Sequence, residues 1–271
     1  GDNLLDRKYA AMHHLSMNVA KWLNLGLFEA VTFGRKDYFD FEYLNPIIFL
    51  RYAEGDVGSP DKAHVGFDFK ANAAHKFQFY GQFLLDEFIL SEIIKNNGYW
   101  ANKYGYQLGA KYVDAFNIKN LDLQIESNRV RPFTYSHYDS IANYTHYNQM
   151  LADPLGANFQ EFIGIVKYQP APKWYFNARA IYYYQGLDSA GENFGSNPFE
   201  LYTTRAHDYG NYVGSGDRVN CLNASFTLSY ELKENLFLDG NVLFRKYTGL
   251  PNSNSFNIAF RWNAARRDYN Y

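Results

Sequence analysis

The sequence predicts an all-β fold, specifically a transmembrane antiparallel up-and-down β-barrel. Apolar and polar residues alternate through eleven stretches, and side chains on a strand point alternately to opposite faces, so each stretch has one greasy and one polar face. The stretches run about ten residues, longer than most soluble strands and about what a tilted strand needs to cross a bilayer. The links between them alternate short and long, as expected of a chain passing up and down through a membrane with tight periplasmic turns and longer extracellular loops. Aromatics reach 19%, with 25 Tyr, 23 Phe and 4 Trp, and rings with one dry end and one wet end gather at membrane interfaces.

The elements follow in order. Strand 9–19 contains His13-His14, whose neighbouring positions point to opposite faces, which argues against a paired metal site. Strand 23–33 carries Glu29 on its apolar register, a misfit that suggests a bulge. In strand 63–72, Val65, Phe67, Phe69 and Ala71 oppose Gly66, Asp68, Lys70 and Asn72. Strand 76–86 sets Phe77, Phe79, Phe83 and Leu85 against Gln78 and Gln82. Strands 103–114 and 121–131 put Gln107, Lys111, Gln124 and Glu126 on the polar side, and strands 160–169 and 174–185 add Asn177 and Arg179. Strand 219–232 alternates from Leu222 through Leu228. Strand 236–248 holds polar Asn241 and Arg245, and strand 254–264 holds apolar Phe256, Ile258, Phe260 and Trp262.

The apolar face is nearly free of charge, while the polar face is rich in amides and opposite charges. A soluble exterior carries more Lys and Glu, so the polar face is assigned to a lumen and the apolar face to lipid. Trp174 and Phe237 beside short turns, and Trp262 near the C-terminus, are expected in a periplasmic aromatic girdle. The mean hydropathy is negative, which a barrel with a polar lumen shares with soluble proteins. The net charge of −2 gives no sign of a nucleic-acid partner, and the single Cys221 excludes an internal disulfide framework and a cysteine-rich metal site. No cofactor is expected.

The first link is short, so the first strand runs toward the periplasm and the C-terminus ends there. Bacterial barrels normally start and end in the periplasm with an even strand count. Residues 1–271 therefore read as one barrel domain of eleven or twelve strands, N-terminally incomplete and the C-terminal part of a larger barrel. Two long loops carry helix signals. Asn45-Pro46 starts one over Ile47 to Glu54 with Gly55 as its stop, and Ser91 caps a shorter one ending near Gly98.

Candidate binding residues lie in the long loops. Tyr135, His137, Tyr138, Tyr144, His146 and Tyr147 in loop 132–159, with Tyr99 and Trp100, offer flat apolar faces with polar tips, which suit sugar rings. The alternative is a loop folded into the barrel mouth, its tyrosines packing locally; the two can coexist. Ser136, His137 and Asp139 are too close in sequence for a hydrolytic triad, which is built from spatial geometry. Asp139-Ser140-Ile141 and Asp188-Ser189-Ala190 have the form of short O-glycosylation acceptors.

Several runs carry a family resemblance: Lys21-Trp22-Leu23-Asn24-Leu25-Gly26-Leu27-Phe28-Glu29-Ala30-Val31, Tyr43-Leu44-Asn45-Pro46-Ile47-Ile48-Phe49, Arg131-Pro132-Phe133-Thr134-Tyr135-Ser136-His137, and Asn143-Tyr144-Thr145-His146-Tyr147-Asn148-Gln149 followed by Pro154-Leu155-Gly156-Ala157-Asn158. They resemble Bacteroidetes members of the Wzi-type capsule-assembly family of outer-membrane barrels, a branch that includes gliding-motility proteins of the RemB type. The resemblance implies an outer-membrane barrel without catalytic residues that attaches or organises capsular or other extracellular polysaccharide, or serves gliding and adhesion. Its implied partners are outer-membrane lipid, surface polysaccharide and other outer-membrane, motility or secretion proteins. A diffusion porin and an outer-membrane hydrolase are the rival classes.

Overall fold

The computed structural model describes residues 7–35, 41–44, 47 and 61–263. Their backbone forms one eleven-stranded antiparallel sheet in which each strand pairs with its neighbours in sequence order. The strands are β1 (Arg7–Ala20), β2 (Leu23–Arg35), β3 (Lys62–Ala73), β4 (Phe77–Glu87), β5 (Lys103–Tyr112), β6 (Leu121–Val130), β7 (Phe159–Ala171), β8 (Trp174–Leu187), β9 (Asp217–Lys233), β10 (Leu236–Tyr247) and β11 (Ser253–Trp262). All eleven stand where the alternation places them, with ends displaced by at most two residues. β1 and β11 are the two edges of the sheet and do not pair with each other among the described residues.

The short turns need unusual backbone. Between β3 and β4, Ala74 and His75 both take positive φ (47° and 58°), the twist that matches two flanking strands, and Lys76 N–H donates to the Ala73 carbonyl at 3.2 Å. Asn235 at φ 62° serves the β9–β10 turn.

Register separates the two faces. Phe67, Phe79, Ile125, Phe162, Val242, Phe256 and Ile258 share one parity and are exposed. On the opposite parity, Lys62 and Asp86 meet long-loop backbone: Lys62 Nζ donates to the Ser136 carbonyl at 2.9 Å, and Asp86 Oδ2 accepts from Tyr135 N–H at 3.0 Å. The polar face is therefore the inner one and the apolar face looks outward. Trp174 and Tyr230, with ring centroids 4.7 Å apart, and Trp22 and Trp262 lie near the short-turn end.

Three expectations need correction. Glu29 marks no bulge: β1 and β2 pair without a shift through it, the only irregularity falling at Asn18/Ala20. It is accommodated because His13 stands directly opposite and meets it at 2.9 Å. Phe237 is not in an outward girdle: it pairs with Glu231 on the inner parity, where Arg261 lies 4.2 Å over its ring. Ser91 does not cap the short helix α1 (Leu90–Lys95): Ile89 is the N-cap, with no side-chain hydrogen bond, and the stop is Asn96 at φ 49°, before Gly98. The helix expected over 47–54 lies outside the described residues, apart from Ile47.

The parity assignment sets a stability contrast. Phe67→Arg places a charge on the outward face and is expected to destabilise by about 2–4 kcal/mol in lipid vesicles, whereas Gln82→Arg on the inner face changes little. Urea titration of the vesicle-embedded protein measures both; equal costs would contradict the assignment, and a larger cost for Gln82→Arg would reverse the faces.

Candidate functional site

The long loops converge at one end of the sheet. Loop 131–158 folds inward rather than away and acts as a plug. Its farthest reach is to β1 and β2: Lys8 Nζ donates to the Asn143 carbonyl at 2.6 Å and the Thr145 carbonyl at 2.9 Å, and Thr32 Oγ1 donates to the Ala142 carbonyl at 2.5 Å. Behind it, Val130, Tyr135, Ala157 and Phe159 form a small apolar cluster with Leu84, Tyr144 and Leu155 around it. Buried irregular backbone must find hydrogen-bond partners, and two side chains supply many of them. Arg131 donates to the Asn102, Tyr99 and Asn211 carbonyls at 2.7, 3.2 and 3.0 Å. Asn158 Nδ2 donates to the Gly186, Phe194 and Ser215 carbonyls at 2.8, 3.1 and 2.9 Å, while its Oδ1 accepts from Gly214 N–H at 2.8 Å. These contacts tie loop 131–158 to segments 88–102 and 188–216.

The plug sits on a charged cluster of alternating sign. Lys62 is ion-paired with Asp86, and Lys103 with Glu87 at 3.1 Å; Lys62, Asp86 and Lys103 are buried. Balanced charge and plug-backbone contacts make that burial tolerable. Lys103 Nζ also lies 3.9 Å from the Tyr202 ring centroid and 4.7 Å from that of Trp100.

The expected binding residues divide into three groups. Tyr135 and His137 are buried, at 5% and 6% exposure. Tyr144 is half-buried and stacks on Tyr135 at 5.7 Å and against His64 at 4.6 Å. These three form the inside of the plug. His146 and Tyr147 stand at the other extreme, at the tip of a two-rung hairpin (Thr145–His146 with Gln149–Met150), and Tyr147 is 88% exposed. Between them lies an aromatic platform. Tyr138 is 47% exposed and 6.3 Å from Tyr202, which is 4.8 Å from Trp100; Trp100 neighbours Tyr99 at 6.1 Å, and Tyr99 neighbours Tyr209 at 5.3 Å. Arg205 lies over Trp100 at 4.2 Å and pairs with Asp208 at 2.6 Å.

Sequence reading missed Tyr202, Arg205 and Tyr209. They come from segment 188–216, over sixty residues after Tyr138, and no local pattern announces their meeting. Beneath the plug, a cavity of about 720 Å³ is walled by Tyr80, Gln82, Gln107 and Asn128 of the sheet and by Tyr144 and Asp153 of the loop.

No hydrolytic arrangement forms around Ser136: its buried hydroxyl donates to the Phe133 carbonyl at 2.7 Å, and His137 Nδ1 accepts from Asp139 N–H at 3.2 Å. His13 and His14 turn to opposite faces, to Glu29 and Asp68 respectively. Among the described residues no group of three or more His, Cys, Asp or Glu side chains could hold a metal ion.

Burial in the plug, reinforced by nearby Lys62 and Lys103, pushes the His137 imidazole down from 6.5 to about 4. The undocked loop takes up a proton below pH 6.5, whereas the docked loop does so only near pH 4. This contribution to docking is complete above the undocked value and declines as pH falls through the window between the two. Proteolysis or hydrogen exchange of loop 131–158 is therefore expected to accelerate as pH drops from 6.5 toward 4, and His137→Gln is expected to flatten that dependence. An unchanged pH slope in the folded variant would contradict the assignment.

No family model and no curated protein match the sequence. Among solved structures, the chain is similar to Wzi of Escherichia coli, described as an outer-membrane protein involved in group 1 capsule assembly and a carbohydrate-binding β-barrel. That match has a TM-score of 0.60 and 12% identity over 94% of this chain and 51% of that one, so the chain spans about half the length of Wzi. Looser matches are the OprD protein of Pseudomonas aeruginosa (TM-score 0.44, 12% identity, 95% and 62% coverage) and the porin NanC (TM-score 0.37, 11% identity, 96% and 100% coverage). The open antiparallel sheet, its outward apolar face and its likeness to Wzi together give the chain the fold of the outer-membrane β-barrels.

Proposed function

We propose that this chain is a non-enzymatic outer-membrane protein of the Wzi type that binds extracellular polysaccharide and serves its attachment or assembly at the cell surface, or adhesion and gliding over it. The observation that carries the reading is the aromatic platform: Tyr138, Tyr202, Trp100, Tyr99 and Tyr209, gathered from separate loops beside the plug at the long-loop end of the sheet. Sugar rings have apolar C–H faces and hydroxyl edges. Stacked rings with polar tips meet both, and Arg205 and Asp208 add a charged donor and acceptor at the margin. The description of Wzi as carbohydrate-binding agrees in kind.

In this reading the long loops are extracellular and the C-terminus periplasmic. Tyr138, Trp100, Tyr99 and the tip residues His146 and Tyr147 are contact residues, and Tyr135, His137 and Tyr144 hold the loop in shape from behind. A single stacked ring contributes on the order of 1 kcal/mol, so affinity for one short chain is modest and a polymer engaging many copies gains by avidity.

Substituting two exposed rings, Tyr138→Ala and Tyr209→Ala, is expected to weaken polysaccharide binding by about 30-fold. Binding of purified surface polysaccharide to the immobilised protein measures this, with heat-modifiable gel mobility as the control for folding. Wild-type affinity in the folded double variant would leave the platform a packing feature only. Planar-bilayer recordings separate the porin reading: a plugged barrel gives small or flickering currents, and large steady conductance overturns the proposal. Gene deletion scored for capsule retention and for spreading distinguishes the capsule role from the gliding role.

A further inference from the structure

The outward face of the sheet is not uniform. Near its middle, strands β4 to β9 bring together the row Phe79, Ala110, Ile125, Gly164, Ala180 and Ala224. Four of these six are alanine or glycine, and bulky neighbours wall the depression they leave. Phe69, Phe79, Leu108, Ile125, Phe162 and Tyr182 line a groove of about 750 Å³ whose floor includes Gly164 and Ala180. A Cβ added at Gly164 would meet nothing within 4 Å, so the space above it is open.

Moving toward the long-loop end, the same face changes character. The next row is Gly81, Leu108, Ser127, Phe162, Tyr182, Leu222 and Lys246. Above it come Tyr106, Arg129, Gln160, Tyr184 and Asn220, and beyond them Arg218. Tyr182 donates to Asn220 Oδ1 at 3.2 Å, and the Arg218 guanidinium lies 3.9 Å over Tyr184. Among the described residues none of Arg129, Arg218 or Lys246 forms an ion pair with a carboxylate, although the inner face pairs Lys62, Lys103 and Arg261 with one each or more. An outward apolar groove beneath a band of unneutralised cations and sugar-compatible tyrosines has the polarity of one lipid molecule, tails below and anionic head above.

We infer that this groove and band form a binding site for a glycolipid whose saccharide head group carries more than one phosphate. The groove takes an acyl chain, the tyrosines flank the sugar, and Arg129, Arg218 and Lys246 take the phosphates, which Arg binds as a fork. Spacing favours several phosphates over one. Arg129 is on β6, the Arg218 guanidinium lies over Tyr184 on β8, and Lys246 is on β10, so the strands presenting the cations follow one another at about 10 Å. The site faces the lipid, away from the aromatic platform, and is independent of polysaccharide binding; it rests only on the outward face lying in a membrane with the long loops extracellular.

The test is native mass spectrometry of the protein extracted from outer membranes, titrated with bisphosphorylated lipid A, monophosphorylated lipid A or phosphatidylglycerol. The bisphosphorylated form is expected to remain bound with at least a tenfold preference over the other two. The triple variant Arg129→Gln, Arg218→Gln, Lys246→Gln is expected to lose that preference. Gly164→Leu, which fills open space rather than clashing, is expected to weaken retention several-fold while heat-modifiable mobility and polysaccharide binding stay unchanged. Equal retention of the three lipids by the wild type would mean a non-selective lipid annulus and overturn the inference. A preference for phosphatidylglycerol, or an undiminished preference in the folded triple variant, would also overturn it.

Discussion

Every backbone amide and carbonyl of a strand needs a partner, the neighbouring strand supplies it, and that requirement governs the rest of this molecule. It keeps β1 to β11 in continuous antiparallel register with few shifts, and continuous register keeps every side chain on its own face. One residue inserted in mid-strand would carry Phe, Leu and Ile to the inner face and Gln, Lys and Glu to the outer one. The polar and apolar faces are thus two readings of one hydrogen-bond ladder. Glu29 shows how the rule absorbs an exception: the ladder places His13 directly across from it, and the two side chains satisfy each other without disturbing the register.

The plug obeys the same accounting by different means. Loop 131–158 has almost no regular structure, so its carbonyls and amides, and those of the loops beside it, need side-chain partners. Arg131 and Asn158 satisfy three carbonyls each. The cost shows in the backbone: Phe133 and Tyr135, both buried, sit at φ 64° and 76°, a region that residues other than glycine hold only when their surroundings over-determine it. Packing on both sides and the ion pairs under the loop provide that over-determination. The platform is the outer surface of this assembly, so its rings are held by contacts within the protein itself.

Much of the sheet was legible in the sequence because its cause is local. Period-two alternation is written in consecutive residues, and short and long links count themselves. What escaped was set by partners far away in the chain. Phe237 looked like a girdle residue by proximity to a turn, but parity within its strand turns it toward Arg261. Ser91 has the chemistry of a cap but stands two positions past the capping site at Ile89. The tyrosines of loop 132–159 are recognisable as a group, yet only the packed loop separates buried Tyr135 from exposed Tyr138, and Tyr202 and Tyr209 join them from a segment in which no aromatic pattern marks them out.

The bond from Lys8 to the Asn143 carbonyl links residues 135 positions apart. Contacts of such separation form late, because the chain between them must already be ordered before closing so long a loop is favourable. The sheet from β2 to β6 lies within that interval, so the plug docks onto strands that have already paired. Loop 131–158 is accordingly among the last parts of the fold to find its place, and a chain caught before that step carries the inner ends of β1 and β2 uncovered.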